Sequence, residues 1–184
     1  MVEIVTPSKV LERADCIFNP REVEVAIDRL AVRITLDLAD ESPVVLCVMK
    51  GGLVLTGALL ERFPFPLELD YVHATRYRKT VGGRIDLRVL PMTDIKKRAV
   101  LLVDDVLDKG ITLARVVDLV RAAGAESVHT VVLVDKDVPK KILTTDYVGL
   151  SAPNRYLVGS GMDYCGWFRN LRGIYALDSS WEIT

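Results

Sequence analysis

The sequence predicts an α/β fold: a mostly parallel twisted sheet flanked by helices. Two kinds of segment predict it. Continuous apolar runs, Val44-Val45-Leu46-Cys47-Val48-Met49 and Ala99-Val100-Leu101-Leu102-Val103, show no polar alternation, as strands buried on both faces require. Around them lie segments whose apolar residues recur every three or four positions, the spacing of a helix laid on a sheet. Because the two kinds alternate along the chain, the strands are expected to run parallel.

Each element has its own signal. Asn19-Pro20-Arg21-Glu22 reads as a helix start: Asn19 caps, Pro20 suits the first helical position and Glu22 completes a capping box. Val23, Ile27, Leu30, Ile34 and Leu38 then form one apolar face. A strand over 43–49 ends at Lys50-Gly51-Gly52, and a helical pattern follows through Leu60. Residues 67–71 alternate strictly and predict a half-exposed strand. Residues 76–84 are polar and basic with Gly82-Gly83, which reads as a mobile excursion, and 85–90 as the returning strand stopped by Pro91. A strand over 99–103, a helix over 113–123 ended by Gly124 and a strand over 127–134 come next. Short strands are expected at 147–150, 156–158 and 173–177, in an irregular last third that caps the sheet edge. No composition shift marks a second domain, so residues 1–184 are expected to form one domain with a core at about 20–150.

Composition narrows the function classes. The net charge is −1 and the pI about 6.1, so no global field favours nucleic acid or an anionic membrane. No apolar run approaches the roughly 20 residues of a membrane span, and Met1-Val2-Glu3-Ile4-Val5 lacks the pattern of a signal peptide. Cys16, Cys47 and Cys165 are odd in number and far apart, which predicts reduced thiols in a cytoplasmic protein. His73 and His129 sit in strand-like segments and are read as structural. A Rossmann dehydrogenase is excluded, since no G-x-G-x-x-G follows the first strand.

The most informative stretch is Val103-Asp104-Asp105-Val106-Leu107-Asp108-Lys109-Gly110-Ile111-Thr112. An apolar strand is expected to stop at the two carboxylates, giving an acidic loop at the carboxyl edge of the sheet, where α/β folds bind ligands. The carboxylates suit ribose hydroxyls or a metal. The glycine and the helix start suit a phosphate, because backbone N–H groups point outward there. A solvated turn or a purely metal-binding acidic pocket are the blander readings.

This loop resembles the phosphoribosyl-pyrophosphate signature of the type I phosphoribosyltransferases. Val48-Met49-Lys50-Gly51-Gly52, Leu133-Val134-Asp135-Lys136, Tyr156-Leu157-Val158-Gly159-Ser160-Gly161-Met162-Asp163-Tyr164 and His73-Ala74-Thr75-Arg76-Tyr77-Arg78 look like further segments of the bacterial 6-oxopurine branch, in the family's order over about 44–178. The resemblance implies the type I phosphoribosyltransferase fold, with a mobile loop and a small base-binding hood from about 151–184 and the N-terminal segment. It implies purine salvage. A phosphoribosyl group passes from phosphoribosyl pyrophosphate to hypoxanthine or guanine, giving IMP or GMP and pyrophosphate.

Residue by residue, the resemblance implies the following roles. Asp104 and Asp105 hold the ribose hydroxyls and organise magnesium. Asp108 lies near N7 of the purine and serves as the catalytic proton acceptor. Asp108, Lys109, Gly110, Ile111 and Thr112 cradle the 5′-phosphate, although Lys109 stands where the family often has threonine. Lys50, Gly51 and Arg169 face the pyrophosphate. In the family the peptide before that lysine is often cis; here it joins Met49 and Lys50. Lys136 donates to the 6-oxo group, Tyr156 stacks on the ring, Leu157 contributes backbone contacts, and Asp163 binds magnesium near the 2-position. Arg76 and Tyr77 belong to the mobile loop, where Arg76 replaces the family's serine. Taken singly, Lys50-Gly51-Gly52 is a plain turn, Lys136 a surface lysine and Arg169 a surface ion pair. The implied partners are phosphoribosyl pyrophosphate, a 6-oxopurine and a second copy or three more of the chain, without nucleic acid or membrane. A xanthine-preferring enzyme and a ligand-sensing RNA-binding regulator are the competing readings.

Overall fold

The computed structural model describes residues 7–76 and 85–178. In chain order the elements are α1 (Pro7–Glu12), β1 (Asp15–Phe18), α2 (Pro20–Leu38), β2 (Val44–Met49), α3 (Leu53–Leu60), β3 (Glu68–Arg76) and β4 (Ile85–Val89). Then follow β5 (Ala99–Leu107), α4 (Ile111–Ala122), β6 (Ser127–Asp137), β7 (Tyr147–Pro153), β8 (Leu157–Val158) and β9 (Ile174–Ala176). Six strands form a sheet in the order β4-β3-β2-β5-β6-β7. Five run parallel, and β4 closes one edge antiparallel to β3. A separate antiparallel sheet has the order β1-β9-β8.

The apolar runs explain the two-layered core. Side chains alternate across a strand, so each buried strand feeds both faces. Val45, Leu101, Val103, Val131 and Leu133 face α2 and α3 in one cluster. Val44, Leu46, Val48, Val100, Leu102 and Val132 face α4 in the other. Helix α2 starts as its sequence predicts: Asn19 Oδ1 accepts from Arg21 N and Glu22 N at 2.9 and 3.1 Å, and Glu22 Oε2 accepts from Asn19 N at 2.8 Å. Such a cap contributes about 1 kcal/mol.

The structure moves several predicted boundaries, with consequences for the site. Strand β5 does not stop at the carboxylates; it runs through Asp104 and Asp105 to Leu107. The acidic pair is therefore held by the ladder to β6, where Asp104 stands opposite Val132 and Val106 opposite Val134. Strand β6 likewise continues through Lys136, which pairs with Ala152 of β7. Polar residues there ended the apolar pattern without ending the hydrogen bonding. Strand β3 runs on to Arg76, opposite Ile85; Tyr77 and the rest of the expected excursion lie outside the described residues. Strand β1 was not expected, since four residues, Asp-Cys-Ile-Phe, carry too short a pattern to be read. Among the described residues no helix is long and apolar enough to cross a membrane.

Candidate active site

The carboxyl ends of β2, β5 and β6 open into a cavity of about 410 Å³, a size that suits a small-molecule site. Asp104, Asp105 and residues 108–112 form its floor; Gly51 and Lys136 stand at its sides; Tyr156, Leu157, Met162, Asp163 and Arg169 line it from the loops around β8. Most residues singled out from sequence therefore meet in one place. Lys50 is exposed and does not line the cavity, although its neighbours Met49 and Gly51 do. The Met49–Lys50 peptide bond is cis.

The acidic pair is built into the sheet edge. Asp104 accepts from the Asp105 N–H at 2.9 Å, and Asp105 accepts from the Val106 N–H at 2.8 Å. Burial pushes the Asp104 carboxyl well above the ordinary range, and the charge of Asp105 adds to this. Burial also raises Asp105, against the opposing pull of the Asp104 contact and of Arg169. Two carboxylates this close and this dry disfavour joint ionisation. The same arrangement attracts a cation, so the pair fits a divalent metal. Among the described residues no three His, Cys, Asp or Glu side chains form a cluster suited to a metal. A hard cation such as magnesium needs only one or two carboxylates and fills its shell with water and phosphate oxygens.

Gly51 is required by packing. A Cβ there would lie 2.3 Å from Asp105 Oδ2, so any side chain would collide with the carboxylate. The loop after β2 thus closes directly over the acidic pair. Gly110 is required by conformation. It stands at the start of α4 with φ of 79°, a left-handed value that favours glycine. The turn carries the chain from the end of β5 into α4, whose first backbone N–H groups border the cavity. No side chain caps this helix start. Its donors remain open to an anion. Asp108 and Lys109 are exposed at the rim.

Across the cavity the geometry is set by one arginine. Arg169 Nη1 donates to Gly161 O at 2.6 Å, Nη2 meets Asp163 Oδ1 at 2.5 Å, and Nη1 lies 3.9 Å from Asp105 Oδ2. The other Asp163 oxygen accepts from Gly166 N–H at 2.6 Å. Arg169 is therefore not a surface ion pair; it bridges the acidic pair to the loop carrying Asp163. Tyr156 packs edge-on against Tyr164, with centroids 5.7 Å apart.

Sequence reasoning missed two contributors. Met162 lines the cavity, and its only signal was membership of the segment 156–164. The connection after β6 also matters: Ile142 N–H donates to Lys109 O at 3.1 Å, and Leu143 packs against Gly110. No local pattern announces such a contact between segments more than thirty residues apart.

Comparison with known proteins bears on this site. The phosphoribosyl transferase domain family matches residues 14–164. The hypoxanthine-guanine-xanthine phosphoribosyltransferase of Tritrichomonas foetus is 32% identical over 173 residues, covering 92% of this chain and 93% of that protein. The hypoxanthine-guanine phosphoribosyltransferase of Bacillus subtilis (strain 168) is 28% identical over 158 residues, covering 84% and 88%. Among solved structures, a hypoxanthine-guanine phosphoribosyltransferase from Bacillus anthracis superposes with a TM-score of 0.80 at 27% identity, covering 89% of this chain and 98% of that one.

Proposed function

The chain belongs to the phosphoribosyl transferase family, and from that premise we propose that it salvages purines by moving a phosphoribosyl group onto hypoxanthine or guanine. Its fold is the type I phosphoribosyltransferase fold. The observation that carries the reading is the one cavity that the acidic pair, the uncapped start of α4 and Lys136 line together.

The reaction breaks the bond from the anomeric carbon to the pyrophosphate oxygen and makes one to a purine nitrogen. Asp104 and Asp105 accept the ribose hydroxyl hydrogens. The backbone of Asp108, Lys109, Gly110, Ile111 and Thr112, with the Thr112 hydroxyl, cradles the 5′-phosphate. Tyr156 offers its face to the purine, Leu157 its backbone, and Lys136 an ammonium donor to the 6-oxo oxygen. An amino group at that position would oppose the ammonium, so adenine is rejected. Asp108 takes the proton lost at the purine N7. Lys50, Gly51 and Arg169 receive the departing pyrophosphate. Asp104 and Asp105, or Asp163 from the facing loop, are the residues that would hold magnesium, which when bound would supply charge neutralisation to that leaving group.

The setting we propose is the cytoplasm, in keeping with three unpaired cysteines. We assign residues 1–184 to one domain with its hood around β1, β8 and β9, working as a homodimer or homotetramer. Helix α3 supports self-association: it carries no charged residue, and Leu53 and Val54 are exposed on it. Initial rates with phosphoribosyl pyrophosphate, magnesium and each of hypoxanthine, guanine, xanthine and adenine test the reading. Turnover of hypoxanthine or guanine is expected; use of adenine alone overturns it. Xanthine is the second candidate base, because the relative at 32% identity carries it in its name.

A further inference from the structure

None of the described residues of the connection between β6 and β7 lines the cavity, yet the connection is fastened to two segments that do. At one point the Ile142 N–H donates to Lys109 O at 3.1 Å, and Leu143 lies against Gly110, where a Cβ would stand 3.1 Å from Leu143 Cβ and 3.3 Å from its backbone nitrogen. Leu143 also packs on the buried cluster that contains Leu107 and Leu113. At the other point Lys141 Nζ meets Asp135 Oδ1 at 2.5 Å, with the two side chains only 20% and 25% exposed. Asp135 immediately precedes Lys136 in β6 and stands opposite Leu107 of β5 and Ser151 of β7. Lys136 lines the cavity; Asp135 and Lys141 do not.

We propose that Lys141, through its ion pair with Asp135, is a positioning residue for Lys136, setting the distance between the base-reading ammonium and the phosphate cradle. This assignment rests on the transferase reading above. A nucleotide spans both ends of the cavity, with its phosphate on residues 108–112 and its base at Lys136. The two ends must therefore be held in fixed register. Successive side chains of a strand point to opposite faces. Fastening Asp135 on one face consequently fixes which way its neighbour Lys136 projects on the other. An exposed ion pair contributes about 0.2–1 kcal/mol; removing one partner of a shielded pair costs more, because the other charge is left desolvated and unpaired. The Ile142 bond to Lys109 involves backbone only and survives substitution of Lys141, so the phosphate side stays in place while the base side loosens.

The test is steady-state kinetics on the full chain with hypoxanthine or guanine, for Lys141→Met, Lys141→Arg, Asp135→Asn and the exchanged pair Asp135→Lys with Lys141→Asp. Lys141→Met is expected to raise the KM for the purine by about threefold to tenfold, a loss of up to about 1.4 kcal/mol, with the KM for phosphoribosyl pyrophosphate changed by less than about twofold. Lys141→Arg should behave as the wild type, and the exchanged pair should recover most of the loss. If Lys141→Met does not fold, Asp135→Asn carries the same expectation. An equal rise in both KM values overturns the assignment, as does a change in thermal stability alone or a folded exchanged pair that recovers nothing. A wild type that turns over no purine overturns the transferase reading and this assignment with it; a wild type that turns over purine beside an unchanged KM ratio in the variants overturns the assignment alone.

Discussion

The two walls of the cavity are made in opposite ways. The wall formed by Asp104, Asp105 and residues 108–112 is one continuous stretch of chain, running off the end of β5 into α4. Neighbours in sequence are neighbours in the site, and the sheet ladder holds them. The facing wall, from Tyr156 to Arg169, is also one stretch of chain, but apart from the two residues of β8 it is loop. There Ser160, Cys165 and Phe168 adopt positive φ values of 47°, 51° and 77°, and Arg169 ties the pieces together through Gly161 O and Asp163. The first wall is rigid because of where it sits in the fold. The second is rigid only as far as its polar contacts hold it. We therefore expect the first wall to carry the chemistry and the second to tune which ligand is accepted and how tightly.

Asp108→Asn tests the first half of that contrast and should have the largest effect. The change is nearly isosteric and removes only the ability to take a proton, so kcat should fall about 10²–10⁴-fold while the melting temperature stays unchanged. Near-normal kcat would remove Asp108 from the chemistry. Arg169→Gln tests the other wall. It releases Gly161 and leaves Asp163 and Asp105 without their shared cation. We expect kcat/KM for phosphoribosyl pyrophosphate to fall about tenfold or more, accompanied by a lower melting temperature. A fall in kcat as large as that of Asp108→Asn would erase the distinction between the walls. Gly110→Ala returns to the first wall and probes its backbone. A non-glycine residue at φ of 79° costs about 1–2 kcal/mol, and Leu143 crowds the new methyl. The melting temperature should drop by about 2–8 °C, read by thermal denaturation. An unchanged value would show that the turn relaxes freely.

The same contrast explains what could be read from the chain. The acid-acid-x-x-Asp-x-Gly-x-Thr stretch was legible because its spacing, its residue types and its place between a strand and a helix all lie within about ten residues. Only its boundary was misplaced: polar side chains at 104 and 105 hid the continuing ladder. Strand β6 likewise runs past its expected end at 134, through Lys136 to Asp137. Gly51 looks like any turn glycine until the Asp105 carboxylate, more than fifty residues away, is found pressed against it. Arg169 reads alone as a surface charge, and its bridging role exists only once β1, β8 and β9 have brought its loop to the sheet. Close approaches of this kind depend on long-range packing, for which periodicity carries no signal.

The smallest effect we expect concerns the cost of the rigid wall. Burial holds the Asp104 carboxyl well above its unfolded value, so between those two values the folded protein binds more protons than the unfolded chain. Stability then falls as pH rises through that window and stays low above it, which is the sign opposite to that of an ordinary salt-bridged carboxylate. Asp104→Asn removes this ionisation and keeps the size of the side chain. Without ligands at neutral pH it should raise the melting temperature by about 2–4 °C, equivalent to about 1 kcal/mol. The gain should shrink as the solution is acidified below the ordinary carboxylate range, where Asp104 is neutral in both states. Thermal scans of wild type and variant across that range decide it. A variant less stable than the wild type at neutral pH would mean that the acidic pair is a fold-stabilising contact, and that the first wall carries no stored electrostatic cost for a cation to relieve.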